Sequence, residues 1–388
     1  MSVYAIIAEY NPFHNGHKYL TDCAKSSGAN VVIAVMSGNW VQRGDVAVVS
    51  KFTRCEQALS SGIDVVLELP TYYAMATAQK FALGAAEIIK NTGADTLVFG
   101  SECGDSNALI KAADCLSSND CQLLIKEYLK NGLTIAAARE KALEELCKLG
   151  SLLSNPNDTL AIEYILAFKE LKYDINFKAV KRIATDHDST EHTHNYCSAK
   201  FIRENGKTDS SLAEKFMPKK AAELFTQAIN SGKTADIIRL DRSIITKLRS
   251  MTIDDFKNLP DISEGLENRI MNAVKTASSL QELIELLKTK RYTTARLRRI
   301  VLSAFLGENK AEIPPTPTYL RVLGYNDNGK EYLKQIRKAS ALPVIMRATE
   351  LKGDPCFEFE VRATDLYCLA QENPDPCGTE FSKGIIKY

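Results

Sequence analysis

The chain has 388 residues, with 49 Lys plus Arg against 48 Asp plus Glu and 45% apolar residues. This near-neutral balance gives no global electrostatic case for a polyanionic partner, so such a partner must be read from local clusters. Ten cysteines lie scattered without a CxxC spacing, and no run approaches the roughly 20 apolar residues of a membrane span. These features exclude a disulfide scaffold and a spanning protein, and predict free thiols in a soluble cytoplasmic protein without a signal peptide.

The length exceeds a typical single core and predicts two domains. Over the first hundred residues, "VYAIIA", "NVVIAVM", "DVVLELP" and "ADTLVFG" alternate with amphipathic stretches long enough for helices. Apolar runs without polar alternation suit strands buried on both faces, and the alternation with helices predicts an α/β, doubly wound parallel sheet. Ligands in such sheets bind beyond the carboxyl ends of the strands, so "EYNPFHNGH", "SGNWVQRGD", "PTYYA" and "GSECGD" are the segments to search. Residues 105–150 read as helices. Asn157 or Asp158 then caps a helix over "TLAIEYILAFKEL", and "INFKAVKRI" reads as a further strand. A polar loop, "TDHDSTEHTHNY", leads into "CSAKFIRE", which opens a helix. From about residue 209 the pattern is mainly helical until "PCFEFEVRATDLYCLA", where alternation predicts a little β structure. Expected domains are therefore 1–208 and 209–388.

Two of only five histidines, His14 and His17, flank Gly16 where the first strand gives way to a helix. A helix N-terminus presents backbone N–H groups to phosphate, and Gly16 would let a nucleotide approach closely. Two imidazoles three residues apart there would face one anion and stabilise charge on an α-phosphate under attack. The plain alternative is a helix capped by Asn15 with two polar histidines beside it. Downstream, Ser198 sits at a helix start with Ile202 and Arg203 in its first turns. Neither a P-loop lysine motif nor a GxGxxG fingerprint is present.

An HxGH followed by a serine segment ending in Ile-Arg resembles the HIGH-type nucleotidyltransferase superfamily. The resemblance implies a Rossmann-like catalytic domain in which His14 and His17 stabilise adenylyl transfer while Ser198 and Arg203 hold the departing phosphates. Lys200 stands where that pattern usually has a small hydroxyl residue. Taken together, "EYNPFHNGH", "MSGNWVQRGDVAVVSKFTRCEQAL", "DVVLELP", "FALGA", "VFGSECG", "NPNDTLAIEYILA", "KRI" and "KRYTTARLRRIVL" look like the bacterial tRNA-Met cytidine acetate ligase family. That resemblance implies ATP, with Mg2+ carried on the nucleotide, and free acetate forming acetyl-adenylate. The acetyl group then passes to the exocyclic amine of the wobble cytidine of elongator tRNA(Met), giving N4-acetylcytidine. It further implies ATP contacts from Ile7, Ala8, Glu9, Tyr10, Asn11, Pro12, Phe13, His14, Asn15, Gly16, His17, Lys18, Tyr19 and Leu20, and from Gly100, Asn157 and Arg182. Read as residues alone, Gly100, Asn157 and Arg182 are equally a turn glycine, a helix cap and a surface cation.

"SGNWVQRGDVAVVSKFTR" carries the only tryptophan, Trp40, with Arg43, Lys51 and Arg54, and is expected to contact acetate or the tRNA end of the pocket. Lys51 and Arg54 equally suit a cap or the solvated face of the next helix. Asp186, His187, Asp188, Glu191, His192 and His194 fit no standard zinc spacing and read as a polar loop, so no metal site is expected. Lys288, Lys290, Arg291, Arg296, Arg298 and Arg299 form an acid-free run, and Lys334, Arg337 and Lys338 share a helix face. Such stripes suit tRNA phosphates, with Tyr292, Tyr319 or Tyr325 available to stack on a base. Two rivals remain: a small-molecule adenylyltransferase, and a non-catalytic RNA-binding protein on the same fold.

Overall fold

A computed structural model describes residues 1–183, 195–207, 209–263, 265–289 and 292–388. The apolar runs become strands: β1 Val3–Ala8, β2 Val31–Ser37, β5 Val65–Leu69 and β6 Thr96–Ser101. Between β2 and β5 lies a small antiparallel hairpin, β3 Trp40–Val41 with β4 Asp45–Val46. "INFKAVKRI" contributes β7, Asn176–Lys181. The C-terminal half adds β8 Leu320–Tyr325, β9 Val344–Ile345 and β10 Ile386–Lys387.

The main sheet runs β10-β8-β5-β2-β1-β6-β7, with β9 on β8. Its β5–β8 pair is antiparallel and its other pairs are parallel. β2 is buried at every position, as expected of a central strand covered on both faces by helices. One face packs an apolar core under α1 Asn15–Ser26 and α2 Lys51–Ser60. The other face continues into a larger core that reaches the helices of the second half, among them Thr294–Leu306.

Residues 355–368 depart from the expected β structure and form a helix, Pro355–Cys368. Asp354 caps it through Phe357 N–H, and Pro355 occupies the first helical position, where its missing N–H costs nothing. Phe357, Glu360, Thr364, Tyr367 and Cys368 are buried along its inner stripe. The Phe-Glu alternation thus coincides with helical spacing over its short length.

Candidate active site

β1 lies between β2 and β6, and this reversal of strand order opens a crevice at the carboxyl ends of β1 and β6. Ile7 and Ala8 finish β1, after which Tyr10 takes a left-handed conformation (φ 49°) and Asn11–Pro12 is cis. Tyr10 and Phe13 are buried with ring centroids 4.7 Å apart, and Tyr10 meets the edge of the His17 ring at 4.9 Å. The imidazoles therefore stand on an aromatic floor.

His14, not Asn15, caps α1: its Nδ1 accepts from Gly16 N–H at 3.0 Å. His17 Nδ1 accepts in turn from His14 N–H at 3.2 Å, and the two rings stack at 3.8 Å. With Nδ1 accepting in both rings, the neutral tautomer carries its proton on Nε2. Burial, His14 and Arg182 hold the His17 pKa well below the ordinary imidazole range, so His17 is a neutral donor at pH 7. Gly16 serves this cap, because a Cβ there would stand 2.8 Å from the His14 ring. Asn15 Nδ2 instead reaches the carbonyls of Asn195 and Lys215, and Lys18 pairs with Asp22. Tyr19 and Leu20 continue α1, half-buried.

The opposite wall is built where β6 and β7 end. Arg182 N–H donates to Ser101 O, and a Cβ at Gly100 would meet only the Arg182 stem, at 3.6 Å. Burial depresses the Arg182 pKa, with Glu102 opposing the shift. Helix Pro156–Glu170 starts nearby with Asn155 in the cap position, two or three residues earlier than the caps expected. Its first N–H groups are satisfied by Glu102, whose carboxylate accepts from Asn157 N–H, Asn157 Nδ2 and Asp158 N–H. Buried Asp158 returns the favour, accepting from Ser101 Oγ and from the N–H groups of Glu102 and Cys103. Asn157 is thereby fixed at the crevice edge by a residue that the sequence reading passed over. The only sequence signal for it was its place directly after a buried strand, in the segment "GSECGD".

Ser198 caps helix Ala199–Asn205 through Phe201 N–H at 3.1 Å, and Arg203 of that helix donates to Asn11 O at 2.7 Å. The loop after β1 and the "SAKFIR" segment, nearly two hundred residues apart, therefore meet. The acidic and histidine-rich positions 186–194 lie outside the described residues.

Several other expectations are corrected. Trp40 is fully buried, with Nε1–H donating to Ala363 O at 2.9 Å, and it packs near Phe305. It is core, not a pocket wall. Lys51 and Arg54 are also fully buried and no solvated face of α2. Lys51 is surrounded by Glu68, Glu360 and Glu380, and Arg321 pairs with Glu68 and Glu380. These are the only three acidic, His or Cys side chains clustered closely enough to share a cation among the described residues, and each is already paired with Lys51, Arg321 or both.

The basic run is largely turned inward. Arg298 donates to Gly44 O and pairs with Asp45, Arg299 is buried against Asp261, and Arg296 also pairs with Asp261. Gly44 (φ +73°) permits this docking, since a Cβ would strike the Arg299 backbone nitrogen at 2.7 Å. Lys288 is exposed, and Lys290 and Arg291 lie outside the described residues. Tyr292 is buried with Arg296 over its ring, and Tyr319 is buried too, so neither offers an open face for a base. Tyr325 is half-buried in β8, whereas Lys334, Arg337 and Lys338 are exposed.

A family model described as HIGH Nucleotidyl Transferase matches residues 1–380. A protein of Acetivibrio thermocellus named tRNA(Met) cytidine acetate ligase is 37% identical, with all of both chains aligned. A Clostridium kluyveri protein of the same name is 38% identical over 96% of each chain. The fold also matches crystal structures of Thermotoga maritima TmcAL, 31% identical over 100% of this chain and 99% of that one. The TM-score is 0.93 for the apo form and 0.91 for the form bound with alpha-thio ATP.

Proposed function

The chain belongs to the HIGH nucleotidyl transferase family and, within it, to the tRNA(Met) cytidine acetate ligases, and from that premise we propose how its residues divide the work. The protein is an ATP-dependent ligase that acetylates a cytidine of tRNA(Met). An acetate oxygen attacks the α-phosphorus, the bond to the β-phosphate bridging oxygen breaks, and pyrophosphate leaves with its electron pair. The wobble cytidine N4 of elongator tRNA(Met) then attacks the acetyl carbon, AMP departs, and the amine proton is lost. Acetate is ionised at pH 7 and needs no general base in the first step.

The observation that carries this assignment is the paired cap of α1, which fixes both imidazoles as Nε2–H donors at a helix N-terminus. His14 and His17 donate to the α-phosphate oxygens as charge grows there. Gly100, Asn157 and Arg182 form the nucleotide wall, while Ser198 and Arg203 receive the β and γ phosphates. Magnesium arrives on the nucleotide, held by phosphate and water. Residues 1–208 carry this chemistry in the cytoplasm, and tRNA is held by the mainly helical 209–388 portion through Lys288 and the exposed Lys334, Arg337 and Lys338.

Incubating the protein with ATP, labelled acetate and bulk tRNA, then digesting the RNA, tests the assignment. Labelled acetylcytidine that requires ATP and no acetyl-CoA is expected. Pyrophosphate release without label in RNA would remove the acetate and tRNA assignments.

A further inference from the structure

Arg54 presents a problem that the reaction scheme leaves unsolved. Its guanidinium is fully buried in the first turn of α2, where the helix dipole disfavours a cation, and it makes no ion pair among the described residues. Its hydrogen-bond acceptors among the described residues are main-chain carbonyls: Val49 O receives Nε–H at 3.1 Å, Glu9 O and Ser37 O receive Nη1 at 2.6 and 3.1 Å, and Gly38 O receives Nη2. A buried cation whose hydrogen bonds all go to neutral carbonyls is expensive, and burial pulls its pKa down to about 10 against the longer-range attraction of Tyr367, Glu9 and Glu68.

The four carbonyls explain what this arrangement does. The parallel ladder between β1 and β2 ends at Ala8 and Met36, and beyond it the two strands diverge. Glu9 O, Ser37 O and Gly38 O lie at or past that edge; Ser37 and Gly38 are buried and Glu9 half-buried, so these acceptors need donors. Arg54 supplies them, bridging two strands whose own hydrogen bonding has stopped. Glu9 is the residue before Tyr10, whose left-handed turn starts the loop to His14. The Glu9 carboxylate meanwhile accepts from Gln42 N–H at 2.9 Å, so both ends of this residue are fixed.

We infer that Arg54 is a positioning residue for adenylyl transfer, clamping the ends of β1 and β2 so that the loop from Glu9 sets His14 and His17 against the α-phosphate. A planar fork is needed for that task. A lysine would keep the charge but, as a single point donor, cannot span carbonyls from two strands and the approach to α2. The kinetic side of the inference rests on the ligase assignment; the geometric side does not.

Two readouts test it in the full-length protein. The first is acetate-dependent ATP–pyrophosphate exchange, compared between wild type and Arg54→Lys. Displacement of the loop by about 1 Å predicts a loss of about 100-fold in kcat with the ATP KM within a few-fold of wild type. The second is the imidazole NMR titration of His17, assigned with a His17→Gln control. In wild type His17 stays neutral well below the ordinary range, and in Arg54→Lys its titration should move up toward pH 6.5 as the loop loosens. An unchanged His17 titration in folded Arg54→Lys overturns the inference, as does a raised KM with unchanged kcat. In Arg54→Ala, millimolar guanidinium should restore the His17 titration and kcat while methylammonium should not; a folded variant that guanidinium fails to restore also overturns it. Absence of exchange in wild type would instead defeat the ligase assignment, leaving the His17 titration to decide the role of Arg54.

Discussion

One turn of α2 carries two fully buried cations that are treated in opposite ways. Lys51 is met by carboxylates from three distant parts of the chain, Glu68 on β5, Glu360 on the Pro355–Cys368 helix and Glu380 near the C-terminus. Arg54 directs its hydrogen bonds to carbonyls and pairs directly with no carboxylate among the described residues, with Glu9 and Glu68 acting only at longer range. A carboxylate nest joins pieces of chain that are far apart in sequence. A carbonyl cage holds strand ends at fixed separation, which is what a site at those ends requires. The nest is therefore a fastening between the halves, and the cage belongs to the active site, although their first residues are only three positions apart.

The sharpest way to break this comparison is to remove Lys51. Lys51→Met would leave Glu68, Glu360 and Glu380 facing Arg321 alone, and breaking a buried ion network in this way costs about 3–5 kcal/mol. Denaturant unfolding should show that loss. Trp40 fluorescence should follow it, since the indole donates to Ala363 on the helix that Glu360 anchors. A variant of wild-type stability would mean that the nest fastens nothing.

The matching test at the site is His17→Ala. Removing one preorganised donor to a developing oxyanion costs about 10²–10³ in rate, so acetate-dependent pyrophosphate exchange should fall by at least that factor while tRNA affinity stays near wild type. Filter binding across a tRNA titration separates the two; a parallel loss of tRNA binding would sink the division of labour.

What the sequence disclosed follows the same contrast between local and distant partners. The strands of the first hundred residues were legible because buried parallel strands read as unbroken apolar runs. His14 and His17 were legible because a helix cap and an i, i+3 pair are written within four residues. Glu102 was not, because its partners Asn157 and Asp158 lie 55 and 56 positions away. The burial of Lys51 and Arg54, expected at the substrate or on the cap or solvated face of a helix, was hidden for the same reason. Nothing near them in sequence announces Glu360 and Glu380, or the strand ends that Arg54 spans. Residues 355–368 were misjudged because alternation over four residues satisfies both the strand and the helix period.

A smaller effect sharpens the view of the nest. Burial and the neighbouring Glu68 push the Glu360 carboxyl up to about 7, against the pull of Lys51, while Glu380 also opposes its ionisation. Arg321 pairs with the other two glutamates, and Thr71 donates to Glu360 through N–H and Oγ1. A carboxyl raised in the folded state binds its proton more tightly there than in the unfolded chain. Its stabilising contribution is therefore full below the ordinary carboxylate pKa of about 4.3 and declines as pH rises through about 7. Unfolding free energies from pH 5 to 8 should show that decline in wild type, and Glu360→Gln should flatten it; an identical slope in the variant would place the titrating proton elsewhere.

The smallest expected effect lies on the surface, where the inward turn of Arg296, Arg298 and Arg299 leaves tRNA contact to exposed cations. Lys334 already pairs with Glu331 at 2.7 Å on the surface, so it is less available to a phosphate than its two neighbours. Arg337→Ala with Lys338→Ala should weaken tRNA binding and reduce the slope of log affinity against log salt by up to about 2 if each side chain neutralises one phosphate. Pyrophosphate exchange should be unchanged, because their helix packs at the amino-terminal ends of the strands, Asn328 reaching Asn30 O and Tyr332 reaching Thr92 O, away from the crevice after β1. A salt slope equal to that of wild type would make this stripe a solvated helix face, and would direct the search to Lys288 and its neighbours.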